Sequence, residues 1–174
     1  MKGASVADDE LPLTDSAIRL LRHVRERARN HIRVHGELTT TIVESLTIAT
    51  ILTGERKVGR AVLEHFIPDV DVFLSELQAV IDGHGRQRSS AAPPQPDFVE
   101  TGVNVNEPWV VPIEQLLSGV RQSARTLQHA YLGTEHFLMA AVSTTDPMLL
   151  NLLAKHGLET TSVEQAVRAL LMQP

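Results

Sequence analysis

The chain reads as all-α, built as two pseudo-symmetric four-helix repeats packed into one domain. Three observations predict this. Apolar residues recur at three- and four-residue steps along most of the chain, the spacing of one helix face. Hydroxyl or carboxylate residues precede those stretches and glycine or proline follows them, as helix starts and stops require. Finally, 43% of the 174 residues are hydrophobic but only 3% are aromatic. The core is therefore mostly Leu, Val, Ile and Ala, which suits helix-on-helix packing better than a β-sandwich.

Taken in order, residues 1–12 are small and acidic and read as a flexible arm. Asp15 to His35 form a long first helix, with Ala17, Leu21, Val24, Ala28, Ile32 and His35 along one face and Gly36 placed to end it. A second helix starts near Thr39–Thr41, where Thr41 and Glu44 have capping-box spacing, and stops at Gly54. Val58 to Phe66 form a third, stopped by Pro68. Asp69 or Asp71 opens a fourth, closed by Gly83. Residues 83–109 are rich in proline, serine and glycine and read as a linker, with Phe98, Val99, Val103, Val105 and Trp109 folding back toward the core, a short hairpin among the options.

The four-helix order then repeats over 110–172. Ile113 to Gln128 form a long helix and Thr134 to Ser143 a short one. Asp146-Pro147 is an N-cap followed by proline at the first helical position, and that helix ends at Gly157. Thr161 or Ser162 caps the last. Leu138 falls 92 positions after Leu46, Ala141 92 after Ala49, and Leu153 90 after Leu63, so 13–82 and 110–172 read as one unit used twice.

Composition removes several classes of function. The net charge of −5 offers no global attraction to nucleic acid or to an anionic membrane. There is no cysteine, which excludes disulfides and thiolate metal sites. No apolar run approaches the roughly 20 residues of a membrane span, and the first residues lack the basic-then-apolar order of a secretory signal. The expectation is a cytoplasmic protein without cofactor or metal.

The most informative stretch is Tyr131-Leu132-Gly133-Thr134-Glu135-His136-Phe137-Leu138. Thr134 is placed to N-cap the new helix, and Glu135 falls in its first turn, at the positive end of the helix dipole. The Gly-Thr-Glu-His-apolar-apolar run resembles the signature of the Clp-N repeat, the amino-terminal domain of Clp-type unfoldase ATPases. Its flanks, Ala124 to Ala130 and Leu149 to Gly157, agree. The resemblance covers about Val110–Leu171 well and Leu13–Ile81 less closely, where Thr40-Thr41-Ile42-Val43-Glu44 stands in place of the motif.

That resemblance implies a tandem, pseudo-twofold fold and a stand-alone, non-catalytic protein-binding module without the motor. It would bind substrates, degradation tags or adaptors of a Clp protease system, as an adaptor or a decoy. The alternative is a regulatory or scaffold domain that reuses the fold for an unrelated protein partner. A monomer or weak homodimer is expected.

In some Clp relatives the motif glutamate holds the guanidinium of phosphoarginine, so the resemblance makes Gly133, Thr134 and Glu135 the candidate ligand site. A carboxylate suits a guanidinium because it accepts two parallel N–H bonds. Read from the residues alone, Glu135 is equally a first-turn charge stabilising its helix by roughly 0.3–1 kcal/mol. Glu44 looks displaced by one position, turned away by about 100° on its helix. His136 reads as structural, tucked between helices and bonded to a backbone carbonyl, with no nucleophile beside it.

Three other patterns carry chemistry. Arg19, Arg22, Arg25, Arg27, Arg29 and Arg33 face only Asp15 and Glu26 on the first helix. They form either a solvated face or a docking strip for an acidic protein partner or a phosphate-rich ligand; the strip taken as partner-binding is Arg19, Arg22, Arg25, Arg29 and Arg33. His31 and His35 share a face as zinc ligands can, with no clear third ligand. Gly54 to Ala61 has the glycine spacing of a phosphate loop but ends in Arg60-Ala61 between helices, and reads as a helix–helix turn.

Overall fold

The computed structural model describes residues 11–86 and 110–172. Expectations for residues 1–10 and for the linker, including Trp109 and the hairpin, fall outside the described residues. Within them are eight α-helices: α1 (Asp15–His35), α2 (Thr40–Thr53), α3 (Val58–Phe66), α4 (Val70–Arg86), α5 (Val110–Leu127), α6 (Thr134–Val142), α7 (Pro147–Lys155) and α8 (Thr160–Leu171).

The helix ends follow from particular side chains. Thr14 caps α1 by accepting the Ala17 N–H at 3.2 Å. Gly36 ends it at φ 79°, the left-handed region where glycine carries no penalty. Thr39, not Thr41, caps α2 through the Ile42 N–H. Asp69 accepts from Val72 at the start of α4, and Asp146 accepts from both Met148 and Leu149 at 3.0 Å at the start of α7. Two endings differ from the sequence reading. Helix α4 runs through Gly83 to Arg86, because a glycine inside a helix costs only about 1 kcal/mol and need not stop it. Helix α8 starts at Thr160 after an uncapped Glu159, one turn's edge before Thr161 and Ser162.

Helices α2 and α6 form the centre. Along α2 every residue from Ile42 to Leu52 except Glu44 is buried, and along α6 every residue from Glu135 to Val142 is buried. A helix apolar all round is stable only when wrapped on every side. Here α2 packs on α1, α4, α5 and α6, while α6 packs on α2, α3, α5 and α8. Two buried threonines of α2 return their hydroxyls to their own backbone, Thr47 to the Val43 carbonyl and Thr50 to that of Leu46, at 2.7 and 2.6 Å.

The face of α1 is rotated slightly from the sequence reading. His31 is buried and His35 is exposed, because Leu20, Val24, Ala28 and His31 complete the stripe that meets α2. The segment before α1 is tied down. Thr14 N–H donates to the Leu132 carbonyl and Leu132 N–H to that of Pro12, an isolated parallel bridge between Leu13 and Leu132. So the last residues of the expected arm, Leu11 and Pro12, belong to a strap that runs beside the loop preceding α6.

Candidate functional site

The loop from Gln128 to Gly133 turns α5 into α6. Gln128 takes a left-handed φ of 59° to end α5. Gly133, not Thr134, is the N-cap of α6, and Thr134 is its first helical residue. The cap works backwards from the expected one: His136 sits at the third helical position and its Nδ1 accepts the Gly133 N–H at 2.8 Å. A side chain reaching back from this position is the returning half of a capping box, here with imidazole in place of carboxylate. The expected bond from His136 to a backbone carbonyl is therefore replaced by one from a backbone N–H.

That bond fixes the proton. A neutral imidazole whose Nδ1 accepts carries its hydrogen on Nε2, and Nε2 lies 2.9 Å from Nδ1 of His129. His136 thus donates to His129. Tyr131 stacks on the His129 ring at 4.9 Å and meets His136 edge-on at 5.6 Å. His136 is fully buried, and burial together with the neighbouring His129 pushes its pKa down to about 4.

Glu135 is only 4% exposed. Its carboxylate folds back over Gly133, into the volume that any Cβ at position 133 would need. Tyr131 donates its hydroxyl to this carboxylate, and burial with the nearby charge raises the phenol's pKa. Glu135 Oε1 lies 3.6 Å from His136 Nδ1. Thr134 faces the first unit: its hydroxyl accepts the Gly59 N–H at 3.4 Å, and its carbonyl would stand 2.9 Å from a Cβ built on Gly59. Gly59 of the loop-like stretch is therefore a contact glycine in the first turn of α3.

His129, Glu135 and His136 bring three donor atoms within 4.8 Å of one another, the one such metal-capable group among the described residues. The hydrogen bonds do not suit a cation. A metal at His136 Nε2 needs a lone pair there, while the Gly133 N–H already holds the lone pair on Nδ1; ligating histidines instead donate from their second nitrogen. The cluster serves as a lock on the helix start. His31 and His35, ring centroids 4.4 Å apart, recruit no third donor among the described residues.

Glu44 has no equivalent role at the start of α2. It faces a cleft of about 320 Å³ shared with Gln115, Ser123 and Ser143. Desolvation there, opposed by a hydrogen bond from Thr144, raises its pKa to about 7.

The arginine strip divides. Arg19 pairs at 3.0 Å with Glu55, in the loop between α2 and α3. Arg27 lines a separate depression with His23 and Thr53. Arg22, Arg25, Arg29 and Arg33 face the other way and line a groove of about 950 Å³, joined by Arg121 from α5. Its apolar lining is Leu11, Leu13, Ile18, Leu21, Leu117 and Leu132, so the strap and the bridge at Leu132 form part of its wall. Sequence reasoning missed Arg121 and the strap.

No curated protein matches the chain. Residues 111–174 match the family model described as the Clp repeat (R) N-terminal domain. Such domains are non-catalytic and mediate protein interactions in Clp systems. The matched segment contains α5 to α8 and the whole Gly133–His136 lock, and no ATPase module lies within these 174 residues. The second four-helix unit of this chain, α5 to α8, is therefore similar to a Clp-N repeat.

Proposed function

We propose that this protein is a non-catalytic binding module of a Clp protease system, engaging substrates, degradation tags or adaptors as an adaptor or a decoy. The observation that carries this reading is the Clp-N match over residues 111–174, which includes the motif at Gly133–His136. The site chemistry supports binding over catalysis. His136 is neutral, buried and engaged at both nitrogens, and no nucleophile stands beside it.

Tag binding at Glu135 has a specific requirement. Its carboxylate is covered and holds the Tyr131 hydroxyl, so a guanidinium reaches it only by displacing that hydroxyl. Calorimetry with phosphoarginine, and arginine as control, tests this. The expected result is about one equivalent bound by the parent, tighter binding by Tyr131→Phe, and none by Glu135→Ala. No heat from the parent ends the tag reading. The wider reading is tested by affinity capture from a lysate containing the Clp ATPase and protease; capture of no Clp component counts against it. Within the second reading, a scaffold for an unrelated partner, the favouring observation is the motif-free start of α2, where Thr39 caps alone.

A further inference from the structure

We infer that the groove between α1, α5 and the Leu11–Leu13 strap is a docking site for an acidic, leucine-rich segment of a partner protein. The inference deepens the protein-binding reading above and rests on it for the claim that the partner belongs to a Clp system.

Charge is the first argument. Arg22, Arg25, Arg29, Arg33 and Arg121 line the groove against one carboxylate among the described residues, Glu26. The four on α1 are spaced three, four and four residues apart, so they form one row of about 16 Å. Like charges in a row repel, and among the described residues no ion pair to a carboxylate holds Arg22, Arg25, Arg33 or Arg121. Arg25 also buries its Nε without an acceptor among the described residues, a donor left unpaired at a cost to the fold.

Shape and lining give the second argument. Beside the arginine row the wall is aliphatic: Leu21, Leu117 and Leu132 with Leu11 and Leu13 of the strap. Ile18, at the end of the row, is 43% exposed. A row of guanidiniums along an aliphatic wall matches an amphipathic segment with carboxylates on one edge and leucines on the other. A nucleic acid would need ring faces to stack on, and among the described residues no aromatic side chain lines the groove. A compact phosphate would need the arginines to converge on a point, and they extend along a line.

The test is fluorescence anisotropy with a labelled peptide of about twelve residues, leucines three and four apart and glutamates between them. Comparison ligands are a polyglutamate of equal length, a heparin oligosaccharide and a single-stranded oligonucleotide. The parent should bind the Leu–Glu peptide more tightly than any of these. Arg22→Glu with Arg33→Glu, both at exposed positions, should weaken it by about tenfold or more, chiefly at low salt. Arg27→Glu reverses one charge outside the groove, half the change of the double variant, and should leave binding within about twofold. Circular dichroism confirms that each variant is folded.

Absence of peptide binding overturns the proposal, as does equal weakening by Arg27→Glu. Equal or tighter binding of heparin, polyglutamate or oligonucleotide replaces it with a general polyanion surface. The same variants are carried through the Clp capture experiment. Peptide binding without Clp capture leaves the groove standing and removes the Clp assignment, while Clp capture unaffected by the groove variants, with no peptide bound, removes the groove alone.

Discussion

The Gly133 N–H donates to Nδ1 of His136 at 2.8 Å, so the start of α6 is capped by a side chain inside the helix it begins. The same bond forces the His136 proton onto Nε2 and toward His129. Replacing His136 by Ala removes a buried ring and leaves the Gly133 N–H unpaired. A loss of about 3–5 kcal/mol is expected in urea unfolding, with the slope of the transition unchanged. A loss under about 1 kcal/mol would mean that the network contributes little.

Gly133 and Glu135 compete for one volume. Gly133→Ala should destabilise by about 2 kcal/mol or more, because the new methyl meets a buried carboxylate. Adding Glu135→Ala vacates that space, so the double variant should be more stable than the sum of the two single losses. Strict additivity in the cycle would refute the steric account.

Two groups, the buried His136 and the half-buried Glu44, oppose each other in acid. His136 has its pKa lowered to about 4, so between its unfolded value near 6.5 and pH 4 the unfolded chain binds the proton and stability falls as pH falls. Glu44 has its pKa raised to about 7 from 4.5; between those values the folded chain binds the proton and stability falls as pH rises. The two slopes have opposite sign between about pH 4.5 and 6.5, and the parent should show a shallow profile there. Glu44→Gln removes one of them. Its melting temperature should then drop steeply as pH is lowered from 6.5 toward 4, and a profile parallel to the parent's would refute the assignment.

The Arg19–Glu55 pair is half-exposed at both ends. Glu55→Ala should change stability by less than about 1 kcal/mol, and less still in high salt. A larger loss by thermal unfolding would assign this pair a structural role that its exposure does not support.

Much of the fold was legible because local signals agreed. The bounds of α1 and α3 follow from apolar spacing with Gly36 and Pro68 after it, and Asp146-Pro147 marks α7. The misses were of two kinds. Thr134 looks like a cap because hydroxyls usually serve, and nothing local says that Glu135 folds back over position 133 while His136 takes over the role. Arg22, Arg25, Arg29 and Arg33 could be read as one row, but their fifth member, Arg121, is brought there only by tertiary packing. The apolar strap likewise becomes a wall only once Leu13 pairs with Leu132.

The contact between Thr134 and Gly59 ties the first four helices to the start of α6. The first four-helix stretch carries no such motif at the start of α2, where Thr39 caps alone. Yet it is not free at position 59, where a side chain would press on the backbone of its neighbour's signature. A stretch without the motif thus still answers to the one that carries it. Variation tolerated around Thr40–Glu44 should stop at Gly59, a residue whose meaning lies wholly in the opposite half of the chain.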